Sequence, residues 1–206
     1  NTELVRDTGN LDRLEAAQAG VERMESLIDD LLTLARNDEG ATERERVELC
    51  GLAADAWETV ETGNAQVIVD APVTLEADPF RLRQLFENLF RNAVEHGQAE
   101  TSRDGDAITV RVGLCRDGEV VDGFFVADDG VGIPSDERET VLEDGFSTSE
   151  EGTGLGLSLV RGIAQSHGWD LTVGESEDGG ARFEIRGVTA TPTAECENSG
   201  PSSGNA

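Results

Sequence analysis

Two carboxamides four residues apart, Asn88 and Asn92, stand in the run Glu87-Asn88-Leu89-Phe90-Arg91-Asn92-Ala93. At helical spacing they project from one face. A carboxamide oxygen is a neutral hard donor suited to Mg2+, which keeps several waters and needs few protein ligands. Downstream, Asp128-Asp129-Gly130-Val131-Gly132-Ile133 closes a β-rich run and delivers the Asp128 carboxylate to a strand end. An ionised carboxylate only accepts hydrogen bonds, so it can select adenine through the exocyclic amino group. Gly130 and Gly132 let the backbone turn closely past a base and sugar. The third segment, Gly152-Thr153-Gly154-Leu155-Gly156-Leu157, opens a helix and presents amide donors and a positive dipole end to phosphate. Each segment alone reads as solvated amides, a turn or a surface loop. In this order they supply metal ligands, a base acceptor and a phosphate cradle, the set that Mg-ATP binding requires.

The ordered set resembles the nucleotide pocket of sensor histidine kinases, members of the GHKL superfamily with its Bergerat fold. The resemblance implies ATP and Mg2+ as cofactors, with Asn92 as the metal ligand and Asn88 supporting it. It implies a nucleotide site of Asn88, Asn92, Glu95, His96, Asp128, Gly130, Gly132, Ile133, Phe146, Gly152, Thr153, Gly154, Leu155, Gly156 and Leu157. The polar stretch between Pro134 and Gly152 resembles the family's mobile ATP lid, with Phe146 as its hydrophobic anchor. Three residues depart from the family pattern. Glu95 and His96 stand where Lys and Tyr are frequent, and Ala181 in Gly179-Gly180-Ala181-Arg182-Phe183 replaces the usual Thr, withdrawing support from one water-linked contact to adenine.

The activity implied is that of a protein-histidine kinase, which must have a histidine to phosphorylate. Only His96 and His167 are present, and neither sits in the acceptor pattern of His, an acidic residue and Leu-Arg-x-Pro. The acceptor and the acidic residue beside it are therefore expected upstream of Asn1, so no catalytic residue is assigned here and the fragment alone is not expected to phosphorylate itself. His167 is expected at a helix C-terminus, where a cation is favourable. The implied onward partner is the receiver domain of a response regulator. Two other readings stay open: a nucleotide-binding but non-catalytic signalling scaffold, and an ATPase of the gyrase, mismatch-repair or chaperone type. The ATPases need a Glu where Asn88 stands; Glu87 is displaced by about 100° around the helix.

The elements that must position these residues are legible in outline. From Leu11 to Asn37 apolar residues recur in heptads: Leu14, Val21, Ile28 and Ala35, with Ala17, Met24 and Leu31 between them. That stripe fits a coiled coil or bundle, and Glu22 to Leu32 resembles the second helix of the histidine kinase dimerisation domain, implying a homodimer through it. Residues 1–37 are thus read as a truncated dimerisation helix and 38–46 as a linker. Residues 47–188 are read as the ATP-binding domain and 189–206 as a disordered tail rich in Ser, Thr, Gly, Pro and Asn.

Within the domain, Gln66 to Asp70 and Val73 to Ala77 are expected as a strand pair around Ala71-Pro72. Asp78-Pro79 starts a helix running to about His96. Ala107 to Cys115 and Glu119 to Ala127 form a hairpin across Arg116-Asp117-Gly118, and Leu155 to His167 is helical. Leu171 to Val173 and Ala181 to Val188 close as a final strand pair. The expected class is α+β: a Bergerat-type α/β sandwich, its mixed sheet covered by helices on one face, preceded by a long bundle helix.

Composition narrows the partners. The 206 residues carry a net charge of −27, and all basic residues are Arg. Such a surface repels nucleic acid and anionic lipid heads, so neither a nucleic-acid partner nor membrane contact by this fragment is expected. Dense carboxylate without Lys looks like the bias of salt-accumulating halophiles, hence a haloarchaeal type; at about 1 M salt the screening length shrinks to roughly 3 Å. Cys50, Cys115 and Cys196 lack metal-ligand spacing and are read as reduced thiols, with a cytoplasmic setting. No apolar run reaches the length of a membrane span.

Overall fold

The computed structural model describes residues 44–97, 107–138, 140–142, 156–193 and 196. The expected dimerisation helix and the linker up to residue 43 lie outside the described residues. The polypeptide divides into two units, 1–39 and 40–206, and the architecture below is that of the second.

Strand β1 (Glu45–Glu48) leads directly into helix α1 (Leu49–Glu58). Strands β2 (Gln66–Asp70) and β3 (Val73–Ala77) precede the long helix α2 (Pro79–His96). The hairpin β4 (Thr109–Asp117) and β5 (Val120–Asp128) follows, then a single 3-10 turn at Thr140–Leu142 and helix α3 (Gly156–His167). Strands β6 (Asp170–Glu175), β7 (Ala181–Arg186) and β8 (Ala190–Pro192) complete the order. Five strands form one mixed sheet in the order β2-β4-β5-β7-β6, parallel only between β2 and β4, and three form a small sheet in the order β1-β3-β8. This is the mixed α+β sandwich that the motifs imply.

Helix α2 shows why the elements form where they do. The Asp78 side chain accepts from the Phe80 and Arg81 amides at 3.0 and 3.2 Å, satisfying donors that have no intrahelical partner, while Pro79 occupies the first turn. Such a cap contributes about 1 kcal/mol. Leu82, Leu85, Phe86, Leu89, Phe90 and Ala93 recur at helical spacing and are all buried. The helix ends at Gly97, whose amide donates to Ala93 O at 2.9 Å.

An aromatic chain ties the layers together. Trp57 of α1 meets Phe90 edge-on, Phe90 stacks on Phe86, Phe86 meets Phe124 of β5, and Phe124 meets Trp169, with ring centroids 5.2 to 6.2 Å apart. The outer sheet face is different: the Arg182 guanidinium lies 3.5 Å from the centre of the Phe125 ring, and Arg182, Glu184, Arg186 and Asp122 form a ladder of ion pairs. Burial pushes the Glu184 carboxyl up, but hydrogen bonds from Arg182 and Arg186 outweigh it and hold the group below its usual range.

Four sequence expectations change. Strands β2 and β3 do not pair with each other: β2 runs parallel to β4, while β3 pairs antiparallel with β1 and β8. At Ala71-Pro72 the chain turns tightly, Val73 N donating to Ala71 O, and Val73, Leu75 and Ala77 bury a face that belongs to the small sheet. Residues 45 and 46, read as linker, belong to β1. Residues 190–192, read as tail, are the third strand of that sheet, and Thr193 N donates to Pro72 O at 2.8 Å. Edge pairing of this kind depends on a distant partner and has no local signature. Lastly, Cys50 and Cys196 form a disulfide with Cα atoms 5.7 Å apart, whereas Cys115 remains a free, buried thiol pushed up to about 11 by burial and by the Glu184 carboxylate.

Candidate nucleotide site

The base end is built where β5 stops. Asp128 is its last residue, 8% exposed, and Oδ1 accepts from the amides of Gly130 at 2.9 Å and Ala181 at 3.1 Å. Burial raises its pKa, and the two amide bonds act in the opposite direction by stabilising the anion. Among the described residues none hydrogen-bonds Oδ2, so one carboxylate oxygen is held by backbone and the other can accept from a ligand. The neighbouring Asp129 turns elsewhere and accepts the Thr109 amide at 2.8 Å, in an exposed position. Of the two adjacent carboxylates, Asp128 is the one buried beside the glycine loop.

The glycine loop is clamped on both sides. A Cβ at Gly130 would stand 2.6 Å from Gly97 Cα, and Val131 N donates to Gly97 O at 3.2 Å, so the loop rests on the end of α2. Gly132 has φ +70°, a left-handed conformation that side chains disfavour, and a Cβ there would lie 2.8 Å from Gly179 O. Ile133 is partly buried against the core.

The phosphate end lies further back along α2. An ideal Cβ on Gly156, the first residue of α3, would lie 3.2 Å from Asn88 Oδ1 and 3.7 Å from Asn92 Oδ1. The two carboxamide oxygens thus converge on a helix N-terminus. Asn88 is fixed there because Nδ2 donates to Gln84 O at 2.9 Å, which leaves its oxygen free. Asn92 Nδ2 is buried without a hydrogen-bond partner. Leaving a buried amide unpaired costs roughly 1–3 kcal/mol, which makes Asn92 a candidate ligand-binding residue. Two neutral oxygens beside the first turn of α3 are the donor type that would suit a hydrated Mg2+, and among the described residues no trio of His, Cys, Asp or Glu gathers to hold a metal instead. Asn92 and Gly97 are five residues apart, about 7.5 Å along the helix, so α2 forms a shared wall for both ends.

Other expected site residues are placed less centrally. Glu95 is exposed near the end of α2, and Leu157 packs partly against the core. Phe146, Gly152, Thr153, Gly154, Leu155 and the side chain of His96 lie outside the described residues. The start of the expected lid is part of the body: Arg138 donates to Ile133 O at 2.9 Å and pairs with Glu175 at 3.2 Å, while Val141 is buried. The adjacent Val141 and Leu142 are the apolar pair that signals this in a largely polar stretch.

His167 is not the cation expected at a helix end. Its Nε2 accepts the Asp78 amide at 3.0 Å, which places the proton on Nδ1, within 2.8 Å of Ile163 O. The ring stacks on Trp169 at 4.3 Å, and burial lowers its pKa. Glu87 accepts the Thr59 hydroxyl at 3.0 Å, towards α1, and is turned from the amides that a hydrolytic base would have to face. Sequence reasoning missed Gly97, Arg138, Ser176 and Gly180; for Ser176 the only signal was its place before the turn Glu177-Asp178-Gly179. A separate hollow of about 380 Å3 lies over β6 and β7, where Glu175, Glu177 and Glu184 surround Arg182 and repel phosphate.

Comparison with known proteins agrees with this fold. Residues 77–189 match the family model described as histidine kinase-, DNA gyrase B-, and HSP90-like ATPase. The sensor histidine kinase ZraS of Klebsiella oxytoca is 38% identical over 109 residues, covering 53% of this chain and 22% of ZraS. Full-length ShkA, solved in complex with AMPPNP, superposes with a TM-score of 0.62 at 27% identity, covering 83% of this chain and 37% of ShkA. The ATP-binding domain of PrrB from Mycobacterium tuberculosis superposes at 0.52 with 26% identity, covering 74% of this chain and 99% of that domain. The chain spans well under half the length of ZraS and of ShkA. With the described carboxamides, the base-end carboxylate and the fold all in agreement, this chain belongs to the histidine kinase-, DNA gyrase B-, and HSP90-like ATPase family, its matched domain homologous to the ATP-binding catalytic domains of sensor histidine kinases.

Proposed function

We propose that this chain binds Mg-ATP and presents the γ-phosphoryl group to a histidine on a dimerisation domain to which the helix of residues 1–37 belongs. The observation that carries the reading is the convergence of Asn88 and Asn92 oxygens on the first turn of α3, with Asp128 across the far end of α2. Asp128 Oδ2 accepts the exocyclic amino group of adenine. The glycine segment at 152–156 offers amides to the phosphates, with Glu95, His96, Thr153, Leu155 and the Phe146-anchored lid around them. Asn92, supported by Asn88, holds Mg2+, whose charge offsets that of the triphosphate where no Lys can reach it. The residues of this domain contribute by binding, orienting and excluding water more than by covalent chemistry. A homodimer through the N-terminal helix and a response regulator aspartate as the next recipient complete the reading.

The same proposal includes adaptation to high salt. A chain of net charge −27 in which every cation is Arg should gain stability as KCl screens its carboxylates. A melting midpoint that stays flat from dilute buffer to molar KCl removes this part.

Phosphotransfer is tested by supplying γ-labelled ATP, Mg2+ and a separate dimerisation domain carrying its histidine. Label should appear on that histidine and vanish with Asn92→Ala. Magnesium-linked binding without transfer favours the non-catalytic scaffold, and rapid hydrolysis without any acceptor restores the ATPase reading.

A further inference from the structure

The turn joining β6 to β7 carries a set of bonds that reach Asp128 from a distant part of the sequence. Ser176 Oγ donates to Asp128 O at 2.7 Å and accepts the Gly180 amide at 2.9 Å, all of it buried. Ser176 N donates to Gly180 O at 2.8 Å, and Gly179 N to Ser176 O at 3.1 Å, closing the turn on itself. The next amide, Ala181 N, reaches Asp128 Oδ1. Gly180 permits this approach, because a Cβ there would collide with Asp128 O and Oδ1. One hydroxyl therefore fixes the backbone of Asp128 and the strand start whose amide orients its carboxylate, although 48 residues separate the two in sequence.

We propose that Ser176 is a positioning residue for base selection: its bridge between Asp128 O and Gly180 N holds the carboxylate so that Oδ1 is saturated by backbone and Oδ2 faces the 6-amino group of the purine. The inference rests on the nucleotide-binding reading above. A carboxylate free to rotate would meet the 6-amino group at poorer geometry and still gain nothing from a 6-oxo group, which offers no donor there, so loss of Ser176 should cost discrimination more than phosphate binding.

The test is calorimetric titration of the full chain with Mg-ATP and Mg-ITP in molar KCl, for wild type, Ser176→Ala and Ser176→Thr. Wild type should prefer ATP. Ser176→Ala should lower ATP affinity by about tenfold, the worth of one well-placed hydrogen bond, and leave ITP affinity nearly unchanged, so that the ATP:ITP ratio collapses. Ser176→Thr, which keeps the hydroxyl, should restore the ratio. Equal loss for both nucleotides, or an unchanged ratio in Ser176→Ala, overturns the proposal and leaves Ser176 a structural residue. Should Ser176→Ala fail to fold by circular dichroism, Ser176→Cys, of similar volume with a weak donor, takes its place with the same expected outcome. A wild type that binds neither nucleotide refutes the binding reading itself; a wild type that binds both equally refutes only this inference.

Discussion

The two ends of the pocket are finished to different degrees. At the base end Asp128 is held by three bonds, from Gly130 N, Ala181 N and Ser176 Oγ, and the glycine loop is gripped between Gly97 and Gly179. At the phosphate end Asn88 is fixed by a single bond to Gln84 O and Asn92 Nδ2 has no partner. On the nucleotide-binding reading proposed above, the fold pre-forms the base end, where a neutral flat ligand gains from a rigid frame. The phosphate end keeps unspent polar capacity for a charged, hydrated ligand to complete. Substitutions at the two ends should accordingly separate stability from binding.

The largest effect is expected where both ends share a wall. Phe86 is fully buried and touches Phe90 and Phe124, so Phe86→Ala should lower unfolding free energy by about 3–5 kcal/mol in chemical denaturation. A loss under 1 kcal/mol would mean that α2 is not the common support. At the base end, Asp128→Asn removes a charge-assisted acceptor worth roughly 1.5–3 kcal/mol, and ATP affinity should fall about 10- to 100-fold whether or not Mg2+ is present. Retained affinity would shift base recognition away from β5.

Asn92→Ala should show the opposite signature. Removing a buried amide without a partner should leave thermal stability unchanged or slightly raised, while the enhancement of ATP binding by Mg2+ disappears. A destabilised variant that still responds to Mg2+ would erase the contrast between the ends. The smallest effect concerns His167, which faces Asp78, Arg44 and Arg81. Its pKa is lowered in the fold and ordinary, near 6.5, in the unfolded chain. The unfolded state thus binds more protons just below that value, so this contribution is complete above about pH 6.5 and is lost as pH falls towards the folded pKa. Melts between pH 5 and 8 should show the slope, and His167→Gln should flatten it.

Much of the site was readable because its signals are local. Asp78-Pro79 announces a helix start, and the spacing of Leu82, Leu85, Phe86, Leu89 and Ala93 fixes which face is buried, which also sets the side on which Asn88 and Asn92 stand. The hairpin of β4 and β5 follows from a Gly at a two-residue turn between β-rich runs. Strand partners were not readable. Alternation places residues of β2 and β3 on faces but does not name the neighbouring strand, and β2 found β4 while β3 found β1 and β8.

By itself the amino-acid order determined the chemistry available: carboxamides at helical spacing, an acceptor at a strand end, glycine amides before a helix, and a strongly acidic composition. Only the tertiary structure decided which of two adjacent carboxylates is buried beside the glycine loop, that Glu87 faces Thr59, that His167 is neutral beneath Asp78, and that Ser176 reaches Asp128. Those outcomes rest on bonds closed between residues 20 to 89 positions apart. A bond of that kind exists only after the chain has folded back on itself, so no local run of residues encodes it.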